Sequence, residues 1–138
     1  MAKKSRIRKK LSRQQMRELD IEIGFLEGVI RRDPHYIEAL RLLSDDYLMR
    51  GSYPQGLQID ELLLQLQPHN PQTFFNLACS YSVNGQIRAS ADALSMAIDH
   101  GYTDWKWIAR EGSLENLRQD PCYQELLAKI QAILTPVC

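Results

Sequence analysis

Glycine-rich phosphate loops, cysteine pairs at metal-binding spacing and long apolar runs are all missing from this sequence of 138 residues. Its three cysteines, Cys79, Cys122 and Cys138, form no C-x-x-C pair, and His35, His69 and His100 stand at no ligand spacing from any of them. Such a pattern argues against a disulfide framework and a zinc site, and it fits a reducing, cytoplasmic setting. No apolar run approaches the roughly 18–20 residues that a membrane span needs, and the N-terminus lacks the apolar middle of a secretion signal. Neither a metal nor a cofactor is expected. The run "ACSYS", Ala78 to Ser82, has no histidine near it in sequence, no glycine-flanked turn and no strand to carry a nucleophile. No catalytic residue is assigned, and the chain is expected not to be an enzyme.

Net charge is zero, yet the charges are unevenly placed. Residues 1–17 hold eight bases and no acid, whereas the rest of the chain holds nine bases and seventeen acids. The sequence therefore reads as a basic tail on an acidic body. Residues 1–12, with Lys3, Lys4, Arg6, Arg8, Lys9 and Lys10, are expected to be a disordered tail, because like charges repel and large apolar residues are scarce. Such a tail suits contact with nucleic acid or a ribosome by counterion release, or simply keeps the protein in solution.

What is present is a repeat. A shift of 34 residues places Leu40 on Phe74, Leu43 on Leu77, Ser44 on Ala78, Tyr47 on Tyr81, Gly51 on Gly85, Tyr53 on Ile87 and Gly56 on Ser90. Large apolar residues recur three and four apart, and one glycine divides each unit into halves of helical length. Each unit is thus a helix, a turn and a second helix. Small residues at Ala78 and Ser90 mark where the two helices of a hairpin approach closely.

The pattern of Leu40, Leu43, Ser44, Tyr47, Gly51, Tyr53 and Pro68 in residues 37–70 resembles the tetratricopeptide repeat. Phe74, Leu77, Ala78, Tyr81, Gly85, Ile87, Ser90, Leu94 and Ala97 carry the same resemblance in residues 71–104. Two positions depart from it: Asp60, where an apolar residue is usual, and Leu63, where a small one is, so the second helix of the first unit is expected to pack with a changed tilt. The resemblance implies an all-α fold, a right-handed superhelical solenoid of antiparallel helix hairpins, in a single domain over residues 13–138. Residues 13–33 read as a partial first unit, opened by Ser12 as helix cap. Residues 105–138 read as a degenerate capping unit in which Ser113 caps a short turn and a final helix runs from about Pro121 to Leu134. The segment carrying Leu117, Arg118, Asp120, Pro121, Tyr123, Leu126 and Leu127 is similar to the closing element of many bacterial tetratricopeptide proteins.

In that family the first helices line a concave groove for a partner's peptide. The resemblance assigns Arg41, Leu42, Asp45, Leu48 and Met49 to the groove from the first unit, and Gln72, Phe75, Asn76, Cys79, Ser82 and Val83 from the second. Lys106 and Arg110 come from the third. Arg41, Asn76, Lys106 and Arg110 also stand where family members that grip acidic C-terminal tails place their polar clamp, but Asp45 would repel such a tail. The expected function is a non-catalytic protein-interaction module, whether scaffold, adaptor or small chaperone. The alternative is a nucleic-acid- or ribosome-associated protein that uses its basic tail. So few repeats leave end faces open to a homodimer through the N-terminal helix.

Overall fold

The computed structural model describes residues 5–7 and 10–135. Lys3, Lys4, Arg8 and Lys9, expected in the basic tail, lie outside the described residues, as does Cys138. The fold is all-helical, with eight α-helices among the described residues: α1 (Arg13–Arg32), α2 (Ile37–Arg50), α3 (Tyr53–Leu66), α4 (Pro71–Val83), α5 (Ile87–Asp99), α6 (Trp105–Arg110), α7 (Glu115–Arg118) and α8 (Tyr123–Leu134). A 3-10 turn, Gly112–Leu114, joins α6 to α7. Among the described residues, no helix is long and apolar enough to cross a membrane.

Local chemistry sets the boundaries. Ser12 opens α1 through a reciprocal capping box: its hydroxyl accepts the Gln15 N–H, and the Gln15 side chain accepts the Ser12 N–H. Asn70 caps α4 by accepting the N–H groups of Gln72 and Thr73, with Pro71 in the first turn, where its missing N–H costs nothing. The first long helix of each unit ends alike. Gly51, at φ +88°, lets the Ser52 N–H reach back to the Tyr47 carbonyl at 2.8 Å. One unit later Gly85, at φ +77°, lets the Gln86 N–H reach the Tyr81 carbonyl at 2.9 Å. Residues with a Cβ rarely adopt that left-handed conformation, which explains the recurring glycine.

Consecutive helices pack on one another: α1 on α2, α2 on α3, α3 on α4 and α4 on α5, while the 3-10 turn and α7 close over α4 and α8 packs on α5. The main core runs from Leu57 through Phe74, Phe75, Leu77, Leu94 and Ile98 to Ile108, Leu114, Leu117 and Leu126. Each such aliphatic or aromatic side chain taken out of water contributes about 1.5–3 kcal/mol. A smaller cluster, Leu26, Ala39 and Leu43, joins α1 to α2. The small residues do make the close approach: Ser90 on α5 is fully buried and its hydroxyl donates to the Ala78 carbonyl of α4 at 2.7 Å.

At the C-terminal end two local expectations are corrected. Glu111, not Ser113, caps the 3-10 turn, because its carboxylate accepts the Ser113 N–H at 3.1 Å. The final helix begins at Tyr123, since Pro121 and Cys122 form a turn in which the Cys122 N–H bonds the Asp120 carboxylate at 3.0 Å.

Candidate functional site

Asp60 makes the site. It lies on α3, fully buried where the equivalent residue of the next unit is Leu94, and a carboxylate in such a place needs compensation. The Ser44 hydroxyl, from α2, donates to its Oδ1 at 2.5 Å, and the Ser80 hydroxyl, from α4, donates to its Oδ2. The remaining charge is met from the N-terminus. Arg6 is only 8% exposed, and its Nη1 lies 3.1 Å from Asp60 Oδ2. Asp60 thus sits in a buried ion pair at the junction of α2, α3 and α4.

The guanidinium is held through each of its three nitrogens. Its Nε donates to Asp45 Oδ1 at 3.0 Å, Nη1 donates also to the Asn76 carbonyl at 2.6 Å, and Nη2 donates to the Ser44 hydroxyl at 2.8 Å. The main chain is read too: the Arg6 N–H lies 3.2 and 3.3 Å from the two carboxylate oxygens of Glu111. Glu111 is itself fully buried and fixed by the Ser113 N–H and hydroxyl. Desolvation works against the charge on Arg6, but the surrounding anions, Asp60 ahead of Asp45, outweigh it and the side chain stays ionised. On Asp45 the balance is reversed: burial raises its pKa above the usual carboxylate value although Arg6 opposes the shift.

Ser5, Arg6 and Ile7 therefore do not behave as the expected disordered tail. They lie against Gly112, where an added Cβ would come within 3.2 Å of the Ser5 hydroxyl and 3.5 Å of the Ile7 side chain. Ile7 shares a small cavity of about 160 Å³ with Tyr53, Val83, Ser113 and Asn116. Of the expected basic contacts, Lys10 is exposed whereas Arg6 is turned inward.

The residues expected to line a groove divide into two sets. Arg41, Asp45 and Asn76 are partly accessible and adjoin the arginine pocket; Arg41 bonds the Thr73 hydroxyl at 3.2 Å and the Gln67 side chain, and Gln72 bonds the Asn76 side chain at 2.9 Å. Leu42 is half exposed, Met49 and Val83 are partly buried, and Lys106 and Arg110 stand exposed on the short α6. Leu48, Phe75, Cys79 and Ser82, by contrast, are buried, so their expected exposure to a partner is corrected: the chain itself covers them. Stacking of Phe75 on Tyr102, with ring centroids 4.5 Å apart, and the Leu117 N–H on the Ser82 hydroxyl at 3.3 Å show how. Burial pushes the Cys79 thiol up to about 12, which keeps it protonated and poorly nucleophilic.

In the sequence, Asp60 and Asp45 stand out as departures and Arg6 as part of a charge run, but nothing local joins them. The signal that could have done so was charge: two acids misplaced in an otherwise apolar or clamp-like pattern imply a cation from elsewhere in the chain. Glu111 carried no such signal. No family model matches the chain. It is similar to a chloroplastic protein of Arabidopsis thaliana, at 34% identity over 80 residues, which are 56% of this chain and 24% of that protein. The chain thus matches about a quarter of the length of that relative.

Proposed function

We propose that the protein is a non-catalytic interaction module of the tetratricopeptide kind, which takes an extended segment of a partner protein on the face formed by α2, α4 and the 3-10 turn. One observation carries the reading: Ser5-Arg6-Ile7 already lies on that face, with the Arg6 side chain and backbone N–H both bonded. A surface that binds one segment of chain offers the same polar groups to another. The repeat of Leu43, Tyr47 and Gly51 at Leu77, Tyr81 and Gly85 supports a solenoid of helix hairpins, in which this face is the concave one. The alternative, phosphate binding through the basic tail, loses Arg6 to the interior.

Photo-crosslinking tests the proposal. A crosslinker replacing Gln72, beside the pocket, is expected to capture a protein partner, while one replacing Glu61, exposed on α3, is not. Capture only through residues near Lys10, of nucleic acid and with steep loss in salt, would overturn it.

A further inference from the structure

The geometry points to an arginine-reading pocket: Asp60, Asp45, Ser44 and Glu111 form a site for an arginine on an extended segment of a partner protein, and Arg6 is its resident occupant in cis. This deepens the proposed function and rests on it, since it names the ligand chemistry of the same face.

Stereochemistry selects the arginine. Four acceptors surround the guanidinium in different directions: Asp45 at Nε, Asp60 and the Asn76 carbonyl at Nη1, and Ser44 at Nη2. A planar fork satisfies all four at once, whereas the ammonium of lysine has three donors on one atom and cannot span them. Glu111 adds a contact that any peptide can make, to the backbone N–H of the arginine itself. The site therefore reads one side chain and the backbone N–H of the residue that carries it.

Two features make the cis occupant replaceable. Arg6 anchors the segment, while Ser5 and Ile7 on either side of it are only partly buried. Asp45, the acceptor at Nε, is half exposed, so a competing guanidinium meets this acceptor first from solvent. Being covalently tethered, Arg6 acts at a high effective concentration, on the order of millimolar. A free segment must overcome that, so the N-terminal arm sets a threshold for occupancy. The partner segment is basic because the pocket presents three carboxylates.

Two acetylated and amidated peptides, ASRIA and ASKIA, test the pocket against the full chain and its Arg6→Lys and Arg6→Ala variants. Amide shifts at Asn76 and Asp45 in nuclear magnetic resonance spectra report binding. The expected result is that ASRIA binds each variant at least tenfold more tightly than it binds the native chain, and at least tenfold more tightly than ASKIA does. Adding Asp60→Asn to Arg6→Lys is expected to abolish the preference. Should both variants fail to fold, the native chain decides: millimolar ASRIA, and not ASKIA, is expected to move the Arg6 Nε–H signal to its solvent-exchanged position, and no movement overturns the proposal. Equal shifts from both peptides would overturn the arginine pocket and leave the peptide-binding face standing; no shifts from either would remove both. A dimer of the native chain that Arg6→Lys dissociates would make the trans occupant a second copy, which also overturns the partner assignment.

Discussion

The two hairpins, α2–α3 and α4–α5, share a glycine turn and a register, yet their interiors are opposite in kind. Leu94 and Ala97 in the second correspond to Asp60 and Leu63 in the first, and Ala78 corresponds to Ser44. The second hairpin closes on itself as an apolar core and is sealed by Leu114 and Leu117 from the C-terminal segment. The first keeps a buried carboxylate and is completed by Arg6 from the other end of the chain. One backbone thus accepts either solution, but the polar one is conditional on a residue that lies 54 positions away in sequence. A buried ion pair of this kind contributes little net stability over a well-packed apolar pair, and it makes the hairpin sensitive to whatever holds the second charge.

Transferring the acid breaks the comparison most severely. Leu94→Asp places a carboxylate in the fully buried apolar hairpin with no arginine to meet it, and a loss of about 5 kcal/mol or more is expected, seen as an unfolded circular dichroism spectrum. Next is Arg6→Ala, which leaves Asp60 buried with only hydroxyl partners and is expected to cost about 3–5 kcal/mol by urea unfolding. The double variant Arg6→Ala with Asp60→Leu makes the first hairpin resemble the second and should recover about half of that loss or more. If the double variant is no better than Arg6→Ala alone, the charge pair is not what joins the arm to the hairpin.

A smaller effect separates the hairpins at their small residues. An added Cβ on Gly56 would collide with the Leu48 side chain, itself buried, so Gly56→Ala is expected to cost about 1–3 kcal/mol through overpacking. The corresponding change, Ser90→Ala, removes only the bond to the Ala78 carbonyl and should cost about 1 kcal/mol. Thermal melts of both variants check the order. A pH-dependent effect concerns the α1–α2 contact that flanks the first hairpin. Burial, then the hydrogen bond and charge of Glu22, raise Asp46 from 3.8 to about 7. The native state therefore retains a proton that the unfolded chain has released, and stability is full below the ordinary value and falls as pH rises through about 7. Asp46→Asn removes this dependence, so its melting temperature relative to the native chain should rise between about pH 5 and pH 8.

Helix positions are legible in the sequence because they follow from local rules. The capping box at Ser12, Pro71 after Asn70, and the paired glycines 51 and 85 each act within one turn of chain. Ser113 has the side chain of a cap but not the role: its hydroxyl is turned back to donate to the Glu111 carboxylate, which also accepts the Ser113 N–H. Ser80 bonds Asp60 of α3, a contact between units that periodicity within a unit does not reveal. Cys79 and Ser82 belong to a partner-facing surface by register alone, whereas the capping segment and the N-terminal arm occupy the space in front of them.

The sequence by itself determined the helices, their recurrence in register every 34 residues, and the excess of base at one end over acid at the other. These depend on propensity, periodicity and composition, all of which a chain carries before it folds. Only the tertiary structure decided that Arg6 leaves the basic run, enters between α2, α3 and α4, and meets Asp60, Asp45 and Glu111 there. Charge in a sequence has no address: which of several cations a buried acid receives depends on loop closure and on the geometry of acceptors in space, and neither is written in local pattern.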